Sequence, residues 1–130
     1  MIVLDTHAWV WLVIEPNRLG RAAKREIERA ERIIVSAMSC FEVARLVSRR
    51  RLWLDRSPGA WIARASVETN AKHEPVSSEI AVRAAELDQT NFPGDPGDRI
   101  IYATAVQHRA KLITRDAAIS RFDPERAVWD

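Results

Sequence analysis

Cysteine and glycine are both scarce in this sequence, and each scarcity excludes a class of protein. The 130 residues include one cysteine, Cys40, so a disulfide framework is impossible and a reduced cytoplasmic setting fits. Cys40 lies in an apolar stretch, which favours a packing role over a reactive one. Only four glycines are present, and none belongs to a Walker or dinucleotide-binding pattern, which argues against nucleotide-loop chemistry.

Long hydrophobic runs are also missing. The longest extends from Ala8 to Ile14, far short of the roughly 20 residues that a membrane-spanning helix needs. The first five residues contain no lysine or arginine, so we expect no signal peptide. The sequence therefore predicts a cytoplasmic protein with no membrane partner.

The sequence has almost no excess of positive over negative charge, but its charged residues are unevenly distributed. The formal net charge is +2, so the chain as a whole is not a polycation. Between Phe41 and Ala65, however, only Glu42 and Asp55 accompany a group of arginines: Arg45, Arg49, Arg50, Arg51, Arg56 and Arg64. Such a cluster suits contacts with phosphate groups, although a solvated helix face would have the same composition.

Segments typical of strands alternate with segments typical of helices. With 47% hydrophobic and 29% charged residues, the chain has the composition of one folded domain spanning residues 1–130. Strands are predicted at Ile2–Leu4, Ile33–Val35, His73–Val76, Lys111–Thr114 and Ala127–Trp129. Helical segments separate them, so we predict an α/β fold with three α/β/α layers and a central parallel sheet of about five strands. Functional residues in such sheets collect beyond the carboxyl ends of the strands, where the strand order reverses.

Four acids share that position in the predicted fold. Each lies at the carboxyl end of a predicted strand, shortly beyond it, or at the start of a helix that packs there: Asp5, Glu42, Asp98 and Asp116. If their carboxylates converge, mutual repulsion would protonate some of them unless a cation neutralised the charge. Ligation by oxygen alone suits Mg²⁺ or Mn²⁺. Such an ion activates water and stabilises negative charge on a phosphate.

Each acid also has a purely structural explanation. Asp5 and Asp116 are well placed to cap helices. Asp95 is predicted to cap a helix whose first turn contains Asp98. An acid in the first turn interacts favourably with the helix dipole. Glu42 would belong to a capping box if Ser39 begins its helix, but it would lie further inside the helix if Ser36 does. The sequence leaves both possibilities open.

Histidines and aromatic residues give weaker signals. The spacing of His7, His73 and His108 matches no metal motif. We interpret His7 as a packing residue, although its position two residues after Asp5 also allows it to line the site. We interpret His73 as exposed and His108 as a helix-end residue. The tryptophans are interpreted as core or interface residues rather than as surfaces for stacking bases.

Four segments, taken in order, resemble one known family. Asp5-Thr6-His7-Ala8 follows the first strand, and residues 36–44, Ser-Ala-Met-Ser-Cys-Phe-Glu-Val-Ala, form the second segment. Residues 94–101 contain Asp95 and Asp98, and residues 112–116 end at Asp116. The ordered set resembles the PIN domain, most closely the VapC-type toxins of bacterial and archaeal toxin–antitoxin pairs.

The resemblance implies a Mg²⁺- or Mn²⁺-dependent endoribonuclease with RNA as its substrate, and structured RNA such as tRNA is a candidate. Asp5, Glu42 and Asp98 would be the main catalytic and metal-binding acids, and Asp116 would complete the site. Thr6 and Thr114 match polar positions that support the carboxylates, and Arg45 and Arg49 are weaker candidates for RNA contacts. A VapB-type antitoxin and a homodimer are further implications. Similar toxins usually carry a larger residue at position 97, so Gly97 predicts a looser loop.

Two other functions are compatible with parts of the sequence. A Mg²⁺-dependent phosphatase-like domain also places an aspartate after its first strand, but a haloacid-dehalogenase-like enzyme would need a second one where His7 stands. A catalytically silent α/β binding module would use the acids as helix caps. That alternative predicts acids that stand far apart and a protein unaffected by metal.

Overall fold

Ile2–Leu4 form strand β1, which lies at the centre of a parallel five-stranded sheet. The computed structural model describes all residues, 1–130. The remaining strands are β2 (Ile33–Ser36), β3 (Ala71–Glu74), β4 (Lys111–Ile113) and β5 (Ala127–Val128). Their spatial order is β3-β2-β1-β4-β5, and every neighbouring pair is parallel. The strand order therefore reverses at β1, which is where a parallel sheet forms its crevice.

Helices connect the strands and cover both faces of the sheet, as the sequence predicted. They are α1 (Thr6–Ile14), α2 (Arg21–Arg29), α3 (Ala37–Ser48), α4 (Pro58–Thr69), α5 (Ser78–Glu86), α6 (Pro96–Gln107) and α7 (Ala117–Phe122). Short 3-10 turns follow α1 and α5. None of the helices has the length and apolar character needed to cross a membrane.

Strand β1 contributes to the core on both sides of the sheet because successive side chains point to opposite faces. Ile2 and Leu4 pack in one core with Trp9 and Trp61, from α1 and α4. Val3 packs in the other core, whose members include residues of α6 and α7. Burial on both faces explains why the strand is a continuous apolar run without polar alternation.

Ser36 resolves the ambiguity over the start of α3. Its Oγ accepts a hydrogen bond of 3.0 Å from the backbone N of Met38, and it is the N-cap residue of the helix. Ser39 is therefore inside the helix and forms no capping box with Glu42. The side chain of Glu42 is free for a role other than capping.

Strand β3 differs from the sequence prediction by two residues. It was predicted over His73–Val76 but covers Ala71–Glu74. Asn70 ends α4 in a left-handed conformation, with φ of 53°, and this turns the chain directly into the strand. Pro75, having no amide hydrogen, cannot extend the hydrogen-bonded ladder. The other strands end within one residue of their predicted ends.

The prediction that His73 is exposed was wrong. Its side chain is half-buried, and Nε2 lies 2.7 Å from Oγ of Ser66. The imidazole also packs edge-on against the buried Trp9 ring, with the ring centroids 5.7 Å apart. His108, by contrast, is the C-cap residue of α6, as predicted.

Candidate functional site

Asp5 leaves β1 at the centre of the sheet and begins α1. Its backbone N donates to the carbonyl of Ile113 at the end of β4, at 3.0 Å. Oδ1 accepts a hydrogen bond of 2.8 Å from the N of Ala8, so the residue caps α1 as well as facing the crevice. Burial raises the pKa of the Asp5 carboxyl, although hydrogen bonds from Thr114 and Ala8 oppose that shift. Asp5 therefore caps α1 and also lines the crevice, so its capping role does not exclude a role in the site.

Glu42 reaches the same region from α3. Its Oε1 accepts a hydrogen bond from Oγ1 of Thr6, and Thr6 is buried. Thr6 has a single hydroxyl proton. Since Thr6 donates that proton to the carboxylate of Glu42, it can only accept in its second hydrogen bond. The hydroxyl of Ser39, 3.0 Å away, is therefore the donor to Oγ1 of Thr6. Glu42 is thus oriented by a short chain of buried hydroxyl groups.

Asp98 enters from the first turn of α6. Oδ1 of Asp95 accepts from the N of Asp98 at 2.9 Å, and Oδ2 of Asp98 accepts from the N of Asp95 at 3.3 Å. Asp95 is therefore the helix cap, as predicted. Burial raises the pKa of Asp98 to about 6, and the charges of Asp95, Glu42 and Asp116 contribute in that order. These carboxylates are close enough to repel one another.

Asp116 lies on the far side of Asp5 and Asp98. Its Oδ1 caps α7 by accepting from the backbone N of Ala118 at 2.8 Å and of Ile119 at 3.0 Å. The buried Thr114 accepts at Oγ1 from the N of Asp116, at 3.1 Å, and also hydrogen bonds to Asp5. The two threonines singled out in the sequence thus each contact a predicted site carboxylate.

Two adjoining cavities contain these acids. The first, of about 500 Å³, is lined by Asp5, Glu42, Asp95 and Asp98 among others. The second, also of about 500 Å³, contains Asp5, Asp98, Thr114 and Asp116. Asp5 and Asp98 line both, so they occupy the centre, with Glu42 on one side and Asp116 on the other.

The present side-chain arrangement does not form a coordination cage. No three of the histidine, cysteine, aspartate and glutamate side chains are placed to hold a metal ion together. The donor set is nevertheless all oxygen, which suits a hard divalent cation, and the raised pKa of Asp98 shows that its ionised form is disfavoured by burial and by its neighbours. The residues fit such an ion in chemistry and charge, and holding one requires side-chain rotation.

The sequence interpretation missed several residues of the first cavity. His7 was interpreted as a packing residue, with a place in the site left open; its ring packs against that of Trp11, and the residue is exposed and lines both cavities. The preceding residue of α1, Thr6, is buried instead of His7. Phe41 and Arg51 also line the first cavity. The four-residue spacing of Phe41, Arg45 and Arg49 along α3 was the signal that they share a helix face.

The arginine cluster divides between two surfaces. Arg45, Arg49 and Arg51 line the first cavity. Arg56 and Arg64 lie elsewhere, beside a separate groove. They are held by Asp55 and Glu68, with N–O distances of 3.0 and 2.9 Å. Only part of the predicted phosphate-binding cluster is therefore near the acids.

Gly97 does not loosen a loop, contrary to expectation. It lies inside the first turn of α6 and is buried. Oε2 of Glu42 is 2.6 Å from where a β-carbon at position 97 would lie. The glycine makes room for this carboxylate.

Comparisons with known proteins identify the family of the chain. The PIN domain profile matches residues 2–124. Ribonuclease VapC22 of Mycobacterium tuberculosis is 36% identical over 127 residues, which cover 98% of this chain and 95% of that protein. A toxin–antitoxin complex from Klebsiella pneumoniae contains a chain that is 25% identical, with a TM-score of 0.67 and coverage of 98% of this chain and 96% of that one.

A further solved structure supports the fold alone. VapC20 of Mycobacterium tuberculosis, described as a Sarcin-Ricin loop cleaving toxin, has a TM-score of 0.68 at 18% identity and covers 95% of each chain. The profile match over nearly the whole chain and the full-length relative identify the family on their own. This protein belongs to the PIN-domain family, as its four ordered motifs predicted.

Proposed function

We propose that this chain is a Mg²⁺- or Mn²⁺-dependent endoribonuclease that acts as the toxin of a toxin–antitoxin pair. One observation carries the proposal: Asp5, Glu42 and Asp98, from three separate segments, line one cavity at the carboxyl edge of the sheet. Asp116 adds a fourth carboxylate from the adjoining cavity. Membership of the PIN-domain family and the full-length similarity to a protein named a ribonuclease support the same function.

Asp5, Glu42, Asp98 and Asp116 are the residues that would hold the divalent ion. When bound, the ion would activate a water molecule and neutralise charge that develops on the phosphodiester. The charge argument supports this assignment because the pKa of Asp98, raised by burial and by neighbouring carboxylates, would return toward its ordinary value beside a cation.

The protein's own hydrogen bonds restrain three of these acids before substrate arrives. Asp5 is tied to Ala8, Glu42 to Thr6, and Asp98 to the backbone of Asp95. These hydrogen bonds keep the three carboxylates at the crevice, so that the movement needed to hold a metal ion is confined to side-chain rotation. Arg45 and Arg49, at the rim of the same cavity, would bind backbone phosphates of the RNA and hold the strand over the acids.

We also propose a VapB-type antitoxin as the physiological partner, and a homodimer. A solved toxin–antitoxin complex contains a chain of the same fold at 25% identity, which supports the first of these. Light scattering of the purified protein, alone and after co-expression with the antitoxin, tests both. A monomer would contradict the dimer, and failure to form a stable complex would contradict the pairing.

One observation favours the alternative of a silent binding module: no three acidic or histidine side chains are placed to hold a metal ion. Against it stands the proximity of the acids, whose charges act on one another. A silent module would gain nothing from burying repelling carboxylates at the crevice of its sheet.

The direct test is cleavage of a mixed RNA pool that includes tRNA, with Mg²⁺, with Mn²⁺ or with EDTA. Asp98→Asn removes one acid while keeping its shape, and Asp55→Asn is the matched control because Asp55 is exposed and lines neither acidic cavity. We expect metal-dependent cleavage by the wild type and by Asp55→Asn, and loss of cleavage in Asp98→Asn. Equal cleavage by all three proteins in EDTA would contradict the proposal.

A further inference from the structure

We propose that Phe41 is a stacking platform for an RNA base next to the phosphate that is cut. This inference rests on the proposed ribonuclease function and adds a residue that positions the substrate. It assigns to the first cavity an apolar contact beside its acids and arginines.

The location of Phe41 is the first argument. The side chain is 55% exposed, and the other large hydrophobic residues that are exposed are Met1, Ile14, Trp53, Val67, Val76 and Val82. Single exposed apolar residues are common on protein surfaces and need no explanation by themselves. Phe41, however, is the only member of this group that lines the cavity of the acids. Its ring is thus available to a ligand of that cavity.

The neighbours of Phe41 along α3 are the second argument. Phe41, Arg45 and Arg49 follow at four-residue intervals and therefore lie in one row on the helix surface. The row is about 12 Å long, at 1.5 Å per residue. An aromatic face combined with a basic track is how proteins bind single-stranded nucleic acid, since every base has a face that can stack and every nucleotide a phosphate.

The charge state of the row is the third argument. Ion pairs engage five arginines elsewhere: Arg18, Arg56, Arg64, Arg99 and Arg126. Arg45 and Arg49 have no carboxylate partner within 4.0 Å, and neither does Arg51, which also lines the cavity. Their charges remain free for a polyanion.

The same surroundings disfavour a protein partner at this ring. Eleven of the 15 residues that line the cavity are not hydrophobic, and an apolar protein surface would have to cover arginines and carboxylates together with the ring. Desolvating such charges without partners is costly. A nucleotide suits both the apolar ring and the charged side chains, because its base contacts the ring and its phosphate contacts the guanidinium groups.

Phe41 and Glu42 are consecutive, so their side chains leave the helix about 100° apart. Glu42 turns toward Thr6 and Gly97. The Phe41 ring therefore lies to the side of the acids and leaves them accessible to the phosphate. A base stacked there would hold the adjacent phosphodiester next to the carboxylates.

The experiment measures binding separately from cleavage. In an Asp98→Asn background with Mg²⁺, fluorescence anisotropy gives the Kd of a fluorescein-labelled single-stranded RNA that the wild type cuts. Phe41→Ala is compared with Phe41→Leu, which keeps apolar bulk but lacks a ring, and with Phe41→Trp, which keeps a stacking face. Trp53→Ala is the control for an exposed aromatic residue outside the acidic cavities.

We expect Phe41→Ala and Phe41→Leu to raise the Kd by at least about fivefold, from the ordinary strength of base stacking. Phe41→Trp and Trp53→Ala should bind as the parent does. In the active protein, Phe41→Ala should raise KM more than it lowers kcat. Abasic sites introduced one at a time along the RNA should identify one base whose removal weakens RNA binding by the parent protein but not by Phe41→Ala.

An unchanged Kd in Phe41→Ala, or equal binding by the Leu and Trp variants, would overturn the inference. So would a variant that binds RNA normally but has lost affinity for the antitoxin, because the ring would then serve a protein contact. Failure of the proposed function is a separate result, since in that case the wild type itself cuts no RNA.

Discussion

The carboxylate of Glu42 fills the space that a side chain at position 97 would need. A β-carbon on Gly97 would lie 2.6 Å from Oε2 of Glu42, closer than such atoms approach one another. The absence of a side chain in α6 thus sets the position of a charged group on α3. Two helices that approach the crevice from different parts of the chain are coupled at this point.

Gly97→Ala should displace the Glu42 carboxylate and lower RNA cleavage by roughly tenfold, equivalent to about 1.4 kcal/mol of transition-state stabilisation. Stability should change little, because the displaced group is the end of a flexible side chain. The measurement is kcat/KM together with the thermal unfolding midpoint.

Gly59→Ala is the matched control for that variant. Gly59 also follows a proline at the start of a helix, and a β-carbon there would meet nothing within 4 Å. It should leave cleavage unchanged and stabilise the fold by up to about 1 kcal/mol. Equal activity in the two variants would show that Glu42 does not depend on the space at position 97.

Thr6→Val should reduce cleavage by roughly tenfold, because it removes the hydroxyl that donates to Glu42 while keeping the shape of the side chain. It also leaves the buried hydroxyl of Ser39 without its partner, so the free energy of unfolding should fall by about 1 to 3 kcal/mol. Thr6→Ser retains the hydroxyl and should retain activity. A Thr6→Val enzyme with full kcat would contradict the positioning role.

Arg45→Gln should weaken RNA binding and reduce its salt dependence, since each phosphate contact on a single strand contributes a slope of about 0.7. Arg56→Gln is the control, because Arg56 pairs with Asp55 and lies outside the acidic cavities. The measurement is Kd as a function of salt concentration in the Asp98→Asn background. Identical slopes for the two variants would argue against a phosphate contact by Arg45.

Tyr102→Phe should lower the free energy of unfolding by about 1 to 2 kcal/mol. It removes the hydrogen bond of 2.7 Å that Tyr102 donates to Oδ2 of Asp123. Burial alone would raise the pKa of Asp123, but hydrogen bonds from Tyr102 and Arg126 outweigh burial and lower it below 3.8.

The lowered pKa of Asp123 gives this variant a signature in acid. A carboxyl with a lowered folded-state pKa stabilises the fold above its unfolded pKa, and this contribution is lost as the pH falls through the folded-state value. When the pH falls below about 4, Tyr102→Phe should therefore lose less of its free energy of unfolding than the wild type does. Parallel curves of stability against pH would contradict this, and RNA cleavage at neutral pH should be unaffected.

The alternation of strands and helices was enough to predict the layered parallel sheet, because β1 is apolar throughout and must be covered on both faces. The same reasoning located Asp5 at the crevice, since the residue after a central strand lies at its carboxyl edge. It did not locate β3 correctly. That strand is polar and only partly buried, so its boundaries depend on Asn70 and Pro75 more than on a hydrophobic pattern.

The site itself was less predictable, because it depends on helix phase and on contacts between distant segments. Ser36 and Ser39 were equally acceptable caps for α3, and only the structure shows which one places Glu42 in the cavity. The arginine cluster looked continuous in sequence. Arg51 still lines the cavity of the acids with Arg45 and Arg49, whereas Arg56 and Arg64 lie beside a separate groove. The space at Gly97 could not be deduced without knowing that α3 and α6 meet.

Binding of Mn²⁺ to the wild type and to Asp98→Asn, measured by calorimetry and by the thermal unfolding midpoint, tests the proposed metal site most directly. We predict that the ion stabilises the wild type, by about 2.7 kcal/mol at 100 times its Kd, and does so far less in Asp98→Asn. Without metal, the variant should be as stable as the wild type or more so, because a repelling charge has been removed. Absence of Mn²⁺ binding by the wild type, or equal stabilisation of both proteins, would contradict a metal site built on these carboxylates.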